Sequence, residues 1–246
     1  MYMNLERDKE GRYYYRLPRS LLSEDLKHPY ADYHPRPTYG SISIDMTDAD
    51  AYKRKLEEDN KIRITFTSMI IKAAAEALED FPILCGVWEG KDRIRCPDPR
   101  KIDIVGPVQI EEKGGFFLIE EANRKTLIGI SEELRTQVDK VRLEKKVGYP
   151  WPRERGELKP LFEITNPGMM GVESAFTVPR PIATSLLIIC VIEEKPIVRD
   201  GQIVVRKMMN AILSIDHYAM LAKIPLGFLN KFKRNLENPS LTFNVV

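Results

Sequence analysis

The stretch SLLIICVIEEKPIVRDGQIVVRKMMNAILSID, residues 185–216, constrains the fold more than any other part of the chain. Asp200-Gly201 separates two alternating runs, the pattern of a tight β-hairpin whose turn residues both need positive φ. The block from Ser185 to Ile192 is almost wholly apolar, which fits a strand buried on both faces. The histidine one position past this stretch, in LSIDHYAMLAKIP (213–225), raises the question of whether His217 is a catalytic base.

Elements of both periods flank the hairpin. SISIDM (Ser41–Met46) alternates like a half-buried strand, and Thr47 or Asp48 is placed to cap a helix over ADAYKRKLEED. In ITFTSMIIKAAAEALEDFP, Met69, Ile70, Ala73, Ala74, Ala77 and Leu78 recur at helical spacing, so a buried helix is predicted that stops at Phe81-Pro82. Short strands follow over GVWEG, RIRC, DIVGPVQI and GGFFLI. A second long helix is predicted from Ser131 to Val147, and then the proline-rich loop GYPWPRERGELKP. FEIT (Phe162–Thr165) reads as a strand. A last helix runs from about Pro225 to Leu236, with a proline in its first turn and Asn-Pro beyond its end. Residues 1–40 carry prolines 29, 35 and 37 and many aromatics, and read as an extended arm wrapping the body or a neighbouring subunit. Grouped strands with interspersed helices predict a single α/β sandwich over 41–246.

Composition narrows the function classes. Of 246 residues, 43% are hydrophobic and 30% charged, with a net charge of +2 and both signs interleaved. Nucleic acid and acidic membranes are therefore poor partners for this surface. Cys85, Cys96 and Cys190 form no close motif and read as buried free thiols of a reducing compartment. The polar N-terminus lacks an apolar signal-peptide core. The longest apolar run is about half the ~20 residues that span a bilayer, so a cytoplasmic protein is expected. His28 and His34 lie in the arm without metal-ligand spacing, and no metal is expected.

Four ordered segments carry a resemblance. FEITNPGMMGVESAFT is similar to the motif F-T-I-(S/T)-N-x-G-M-F-G-V-D-S-F-T of the 2-oxoacid dehydrogenase acyltransferase catalytic domain. IEEKPIVRDGQIVVRKMMNAILSIDH resembles that family's hairpin and the strand leading to its histidine. GFLNKFKRNLENP resembles the helix after it, and IDMTDADAYKRKLEEDNKIRITFTSMIIKAAAEALEDFP its opening strand and two helices. The resemblance covers about Ser41 to Pro239. It implies a chloramphenicol-acetyltransferase-like two-layer α/β sandwich with a mixed β-sheet. It further implies acyl transfer between coenzyme A and dihydrolipoamide or another thiol or small acceptor, with His217 as general base and Thr165 as donor to the oxyanion. A free thiol of pKa near ~8.5 is well served by an imidazole near ~6.5. In the family the channel forms between subunits of a trimer. Thr165 ends a strand at Asn166-Pro167-Gly168, from which a hydroxyl can project into a cavity.

The family pattern D-H-R-x-x-D-G here reads Asp216-His217-Tyr218-Ala219-Met220-Leu221-Ala222. Both ionic positions become non-ionic, which suggests a charged pair replaced by packing. A glycine becomes Ala222, which would be strained if its φ were positive. No lipoyl or subunit-binding domain is recognised, so a lipoyl group would be supplied in trans by a lipoyl-carrying protein. Arg16, Arg19 and Arg36 are candidate contacts for coenzyme A. The apolar end, Phe243, Val245 and Val246, offers docking between trimers in a larger cage, a contact within its own subunit, or a disordered tail. Two readings stay open: an active acyltransferase working as a homotrimer, and an inactive relative kept as an oligomeric scaffold or acyl-CoA- or lipoyl-binding protein. A chloramphenicol-type transfer to a hydroxyl would need the same histidine.

Overall fold

The hairpin turns at Asp200 (φ 50°) and Gly201 (φ 76°), both left-handed as a two-residue turn of this type requires. The computed structural model describes residues 5–16, 36–90, 92–110, 113–144, 152–154 and 157–243. Along the chain run β1 (Leu5–Arg7), β2 (Tyr13–Arg16), β3 (Pro37–Asp45), α1 (Thr47–Asn60), α2 (Phe66–Leu78), β4 (Val87–Glu89), β5 (Arg93–Cys96), β6 (Ile104–Ile110) and β7 (Lys113–Ile119). Then come α3 (Leu127–Glu144), β8 (Arg153–Glu154), β9 (Glu157–Leu158), β10 (Phe162–Thr165), β11 (Ser185–Arg199), β12 (Gln202–Asp216), α4 (Lys223–Glu237) and α5 (Pro239–Thr242).

The main sheet has six strands in the order β3-β12-β11-β10-β6-β7. It is mixed: β10 runs parallel to both β11 and β6, and the other pairs are antiparallel. The hairpin's period of two sends Leu187, Ile189, Met209, Ala211, Leu213 and Ile215 into one core with the helices. Leu186, Ile188, Cys190 and Ile212 form a smaller cluster on the other face, with Ala175 packed against it. Residues beyond the Met208–Asp45 pair leave β3 behind, so the hairpin's far end stands as two strands with Val198, Ile203 and Val205 exposed.

Helix α2 lies at the centre of the core. Its predicted face is buried, and so are Ile71, Lys72 and Ala75, because the helix contacts α3 as well as α4. The buried Lys72 ammonium pairs with Glu76 at 3.1 Å and donates to the Asn123 carbonyl at 3.0 Å, which makes its burial tolerable. Thr65 and Ser68 form a reciprocal capping box at its start.

Sequence and structure differ at several ends. Neither Thr47 nor Asp48 caps α1: Thr47 is already helical, and the Asp45 carboxylate accepts its N–H at 3.1 Å. Helix α3 starts at Leu127, four residues before Ser131, because the Thr126 hydroxyl accepts the Gly129 N–H at 3.1 Å and caps it there. Residues 5–16 are not an extended arm. They form a hairpin that adds to β5 and β4, giving a four-stranded sheet in the order β1-β2-β5-β4. The rest of that segment, 17–35, with Arg19, His28 and His34, lies outside the described residues, as do Val245 and Val246. Phe243 is buried in its own chain, 6.5 Å from the Tyr52 ring, so this residue of the apolar end makes the contact within its own subunit. All three cysteines are buried and free, and burial pushes each thiol up.

Candidate active site

His217 stands exposed in the turn that follows β12, on a backbone fixed from several directions. Asp216 is fully buried; one carboxylate oxygen accepts the Trp88 indole N–H at 2.8 Å and the other accepts the Tyr218 N–H at 3.1 Å. That second bond is the local turn an aspartate makes with its own chain two residues on. The Asp216 N–H donates to the Thr184 carbonyl at 2.9 Å, and the His217 N–H to the Arg36 carbonyl at 3.1 Å. The Arg36 guanidinium lies over the Tyr218 ring, 4.8 Å from its centroid.

The altered loop follows a plain path. Ala222 has φ −48° and ψ −32° and leads directly into α4, so no glycine is needed there and the expected strain is absent. The packing expected for the two replaced ionic positions holds for one of them. Tyr218 packs partly against the core, whereas Leu221 keeps 57% of its surface exposed.

Strain sits instead at Ile182, whose φ is 66°. A β-branched residue in the left-handed region costs roughly 1–2 kcal/mol and persists only where its surroundings fix it. Here the Ile182 carbonyl accepts the Trp88 N–H at 2.8 Å, and the Thr184 hydroxyl donates to the Ile83 carbonyl at 2.6 Å. The strained segment therefore holds both Trp88 and, through Thr184, Asp216. In sequence, GVWEG shows only the pattern of a strand. A buried indole seeks an acceptor for its N–H, but which carboxylate it reaches is a tertiary fact.

Thr165 ends β10, half-buried, opposite Ile188. The turn after it is pressed against β11. A Cβ on Gly168 would lie 2.2 Å from the Cys190 carbonyl carbon, so only glycine allows this approach. Two residues earlier on the same strand face, Glu163 is buried with both oxygens near the Arg180 Nε, at 3.0 and 3.1 Å. Burial pushes the Glu163 carboxyl up; Arg180 opposes this without cancelling it. Glu163 and Arg180 are 17 residues apart, so no local motif joins them.

The register decides whether the two predicted residues meet. Thr165 is level with Ile188 and Ile212, and His217 lies five residues further along β12. At ~3.3 Å per residue and ~4.8 Å per strand, the two backbones are about 15–20 Å apart within one chain. One copy does not bring them together. Of the other candidates, Arg36 lies beside His217, whereas Arg16 pairs in β2 with Arg93. A groove of about 630 Å³ lies elsewhere, lined by Arg95, Lys101, Asp103, Glu121, Glu157 and Lys159 among others. Its charges pair with one another, as in Arg95–Glu157 at 3.3 Å and Lys159–Asp103 at 2.6 Å. No cluster of metal-ligating side chains occurs among the described residues, and none of their helices is long and apolar enough to cross a membrane.

An exposed imidazole on a rigid turn is equipped to take a proton from an incoming thiol, and a strand-end hydroxyl to donate to an oxyanion. The chain is 28% identical over 188 residues to the dihydrolipoyllysine-residue acetyltransferase component of the pyruvate dehydrogenase complex of Rickettsia felis. That match covers 76% of this chain and 43% of the relative, so the chain spans less than half of the relative's length. The structure of Azotobacter vinelandii dihydrolipoamide acetyltransferase superposes with a TM-score of 0.71 at 20% identity, covering 85% of this chain and 84% of that one. Chloramphenicol acetyltransferase shares the fold at a TM-score of 0.53 and 16% identity, covering 87% of this chain and 94% of that one. The family model of the 2-oxoacid dehydrogenases acyltransferase (catalytic domain) matches residues 35–244, and the chain belongs to this family.

Proposed function

We propose that the chain transfers an acyl group between coenzyme A and the thiol of a dihydrolipoyl group, the latter offered by a lipoyl-carrying protein. His217 takes the proton from the attacking thiol. The thiolate adds to the carbonyl carbon of the acyl thioester, and the Thr165 hydroxyl donates to the resulting oxyanion. Collapse breaks the old C–S bond, and the departing thiolate recovers the proton from the His217 imidazolium. In this reading the chain works as a homotrimer, with each site using His217 of one copy and Thr165 of its neighbour. Trimers assembling into a cage would extend the same plan.

The observation that carries the reading is the exposed His217 on its anchored turn, joined by a match of spacing. A serine, a histidine and an asparagine are named in the catalytic mechanism of the Azotobacter enzyme, at intervals of 52 and four residues. Thr165 precedes His217 by 52 residues, and Leu221 follows it by four. Where that enzyme has an asparagine, this chain has an exposed leucine, so the reaction here would run without that amide. The unstrained Ala222 favours an active loop over the scaffold reading.

Turnover of acetyl-CoA with dihydrolipoamide, wild type against His217→Ala, tests the proposal. Because the side chain is exposed, the variant stays folded, and its kcat is expected to fall by about 10²–10⁴. Equal rates in the two proteins, or none in either, would overturn the acyltransferase reading.

A further inference from the structure

We propose that Arg36 is a positioning residue for His217 and that it works as a unit with Tyr218; this rests on His217 being the base. Antiparallel pairing of β12 with β3 ends at Asp216 opposite Pro37, a residue without an N–H. The next bond is made by the Arg36 carbonyl, which accepts the His217 N–H at 3.1 Å. Pro37 favours an extended backbone at Arg36, and so presets the direction of that carbonyl. The same residue's guanidinium then lies over the ring of Tyr218, 4.8 Å from its centroid. Residue 36 thus grips the histidine from two sides, through the main chain at 217 and the side chain at 218.

The opposite side is already fixed: Tyr218 gives its N–H to Asp216, which Trp88 holds. Loss of the stack leaves Arg36 free to turn and takes from the outer half of the turn one side-chain contact that its backbone bonds and the packing of Tyr218 on the core do not replace. The histidine is exposed, so no packing recentres it. A misplacement of about 1 Å at a catalytic group is enough to cost about a hundredfold in rate. Arg36 and Tyr218 are far apart in sequence, so this pairing was out of reach of any local motif.

The test compares Arg36→Ala, Arg36→Lys, Tyr218→Leu, Tyr218→Phe and the double variant Arg36→Ala/Tyr218→Leu. Arg36→Ala and Tyr218→Leu are each expected to lower kcat by about ten- to a hundredfold, with KM for both substrates held within about twofold. The double variant loses no more than the worse single one, because both remove the same contact. Tyr218→Phe, which keeps the ring face, and Arg36→Lys, which keeps a cation, recover most of the rate. A second readout needs no turnover. The chain has three histidines, and the His217 ring resonance in a proton–carbon spectrum is identified by its loss in His217→Gln. It should shift or broaden in Arg36→Ala and Tyr218→Leu, and stay in place in Tyr218→Phe. If the wild type shows no acyl transfer, the functional reading fails and the resonance alone decides the positioning claim. Unchanged kcat with an unmoved resonance overturns the proposal. So do additive losses in the double variant, and so does a rise in KM at constant kcat.

Discussion

At the scale of single residues, Glu163 and Arg180 form the costliest pair near the candidate site. Glu163 is a buried carboxylate, and Arg180, about a third exposed, also lies over the Phe116 ring at 4.4 Å. Arg180→Ala leaves the carboxylate alone and is expected to cost about 2–3 kcal/mol at pH 7, the upper range for a fully buried pair being trimmed for exposure. The folded-state pKa of Glu163 is raised, so its charged form disfavours folding and the penalty grows as pH rises above the usual value near ~4.3. Urea unfolding of the variant against wild type should therefore show a smaller gap at pH 5 than at pH 7. A gap that widens on acidification would refute this account. His217 and Thr165 stand out in the sequence as candidates because each closes a motif at fixed spacing. Trp88, Arg180 and Ile182 do not, since their partners lie far away in sequence and only the fold joins them.

Elements were read well wherever a long period ran unbroken, as in α2 and the β11–β12 hairpin. Misreadings fell at ends, where one side chain outvotes the pattern: Thr126 starts α3 early and Asp45 serves the first turn of α1. Asp45 also fastens the hairpin to β3, accepting from Arg206 Nε at 2.8 Å and from Arg199 at 3.3 Å. Burial pushes its carboxyl up, but hydrogen bonds from Thr47 and Arg206 outweigh that and hold it below its ordinary value. A depressed folded pKa means stability that is present above ~3.9 and fades as pH falls through the folded value. Asp45→Asn is accordingly expected to cost about 1.5–3 kcal/mol at pH 7. The difference from wild type in urea midpoint should shrink below about pH 4. A deficit that persists unchanged at pH 3 would point to lost packing instead of lost charge.

At the scale of the whole molecule, the fold came through from the order of strands and helices, while completeness of the site did not. No motif states that Thr165 and His217 sit about 15–20 Å apart within one chain, because that follows from sheet register. If each site joins two copies, inactive His217→Ala and Thr165→Ala chains should complement one another. Random mixing into trimers is expected to restore about a quarter of wild-type turnover. Light scattering checks the assembly, and mixtures that stay as inactive as their parts would rule out shared sites. The exposed hairpin residues Val198, Ile203 and Val205 are apolar surface free for such a neighbour to cover. The bond from Trp88 to Asp216 has an optical consequence. The chain has only two tryptophans, and the Trp88 indole donates directly to the carboxylate beneath the histidine. Its emission thus reports on that turn, and a Trp151→Phe protein would let every movement of His217's support be followed by light, without substrate.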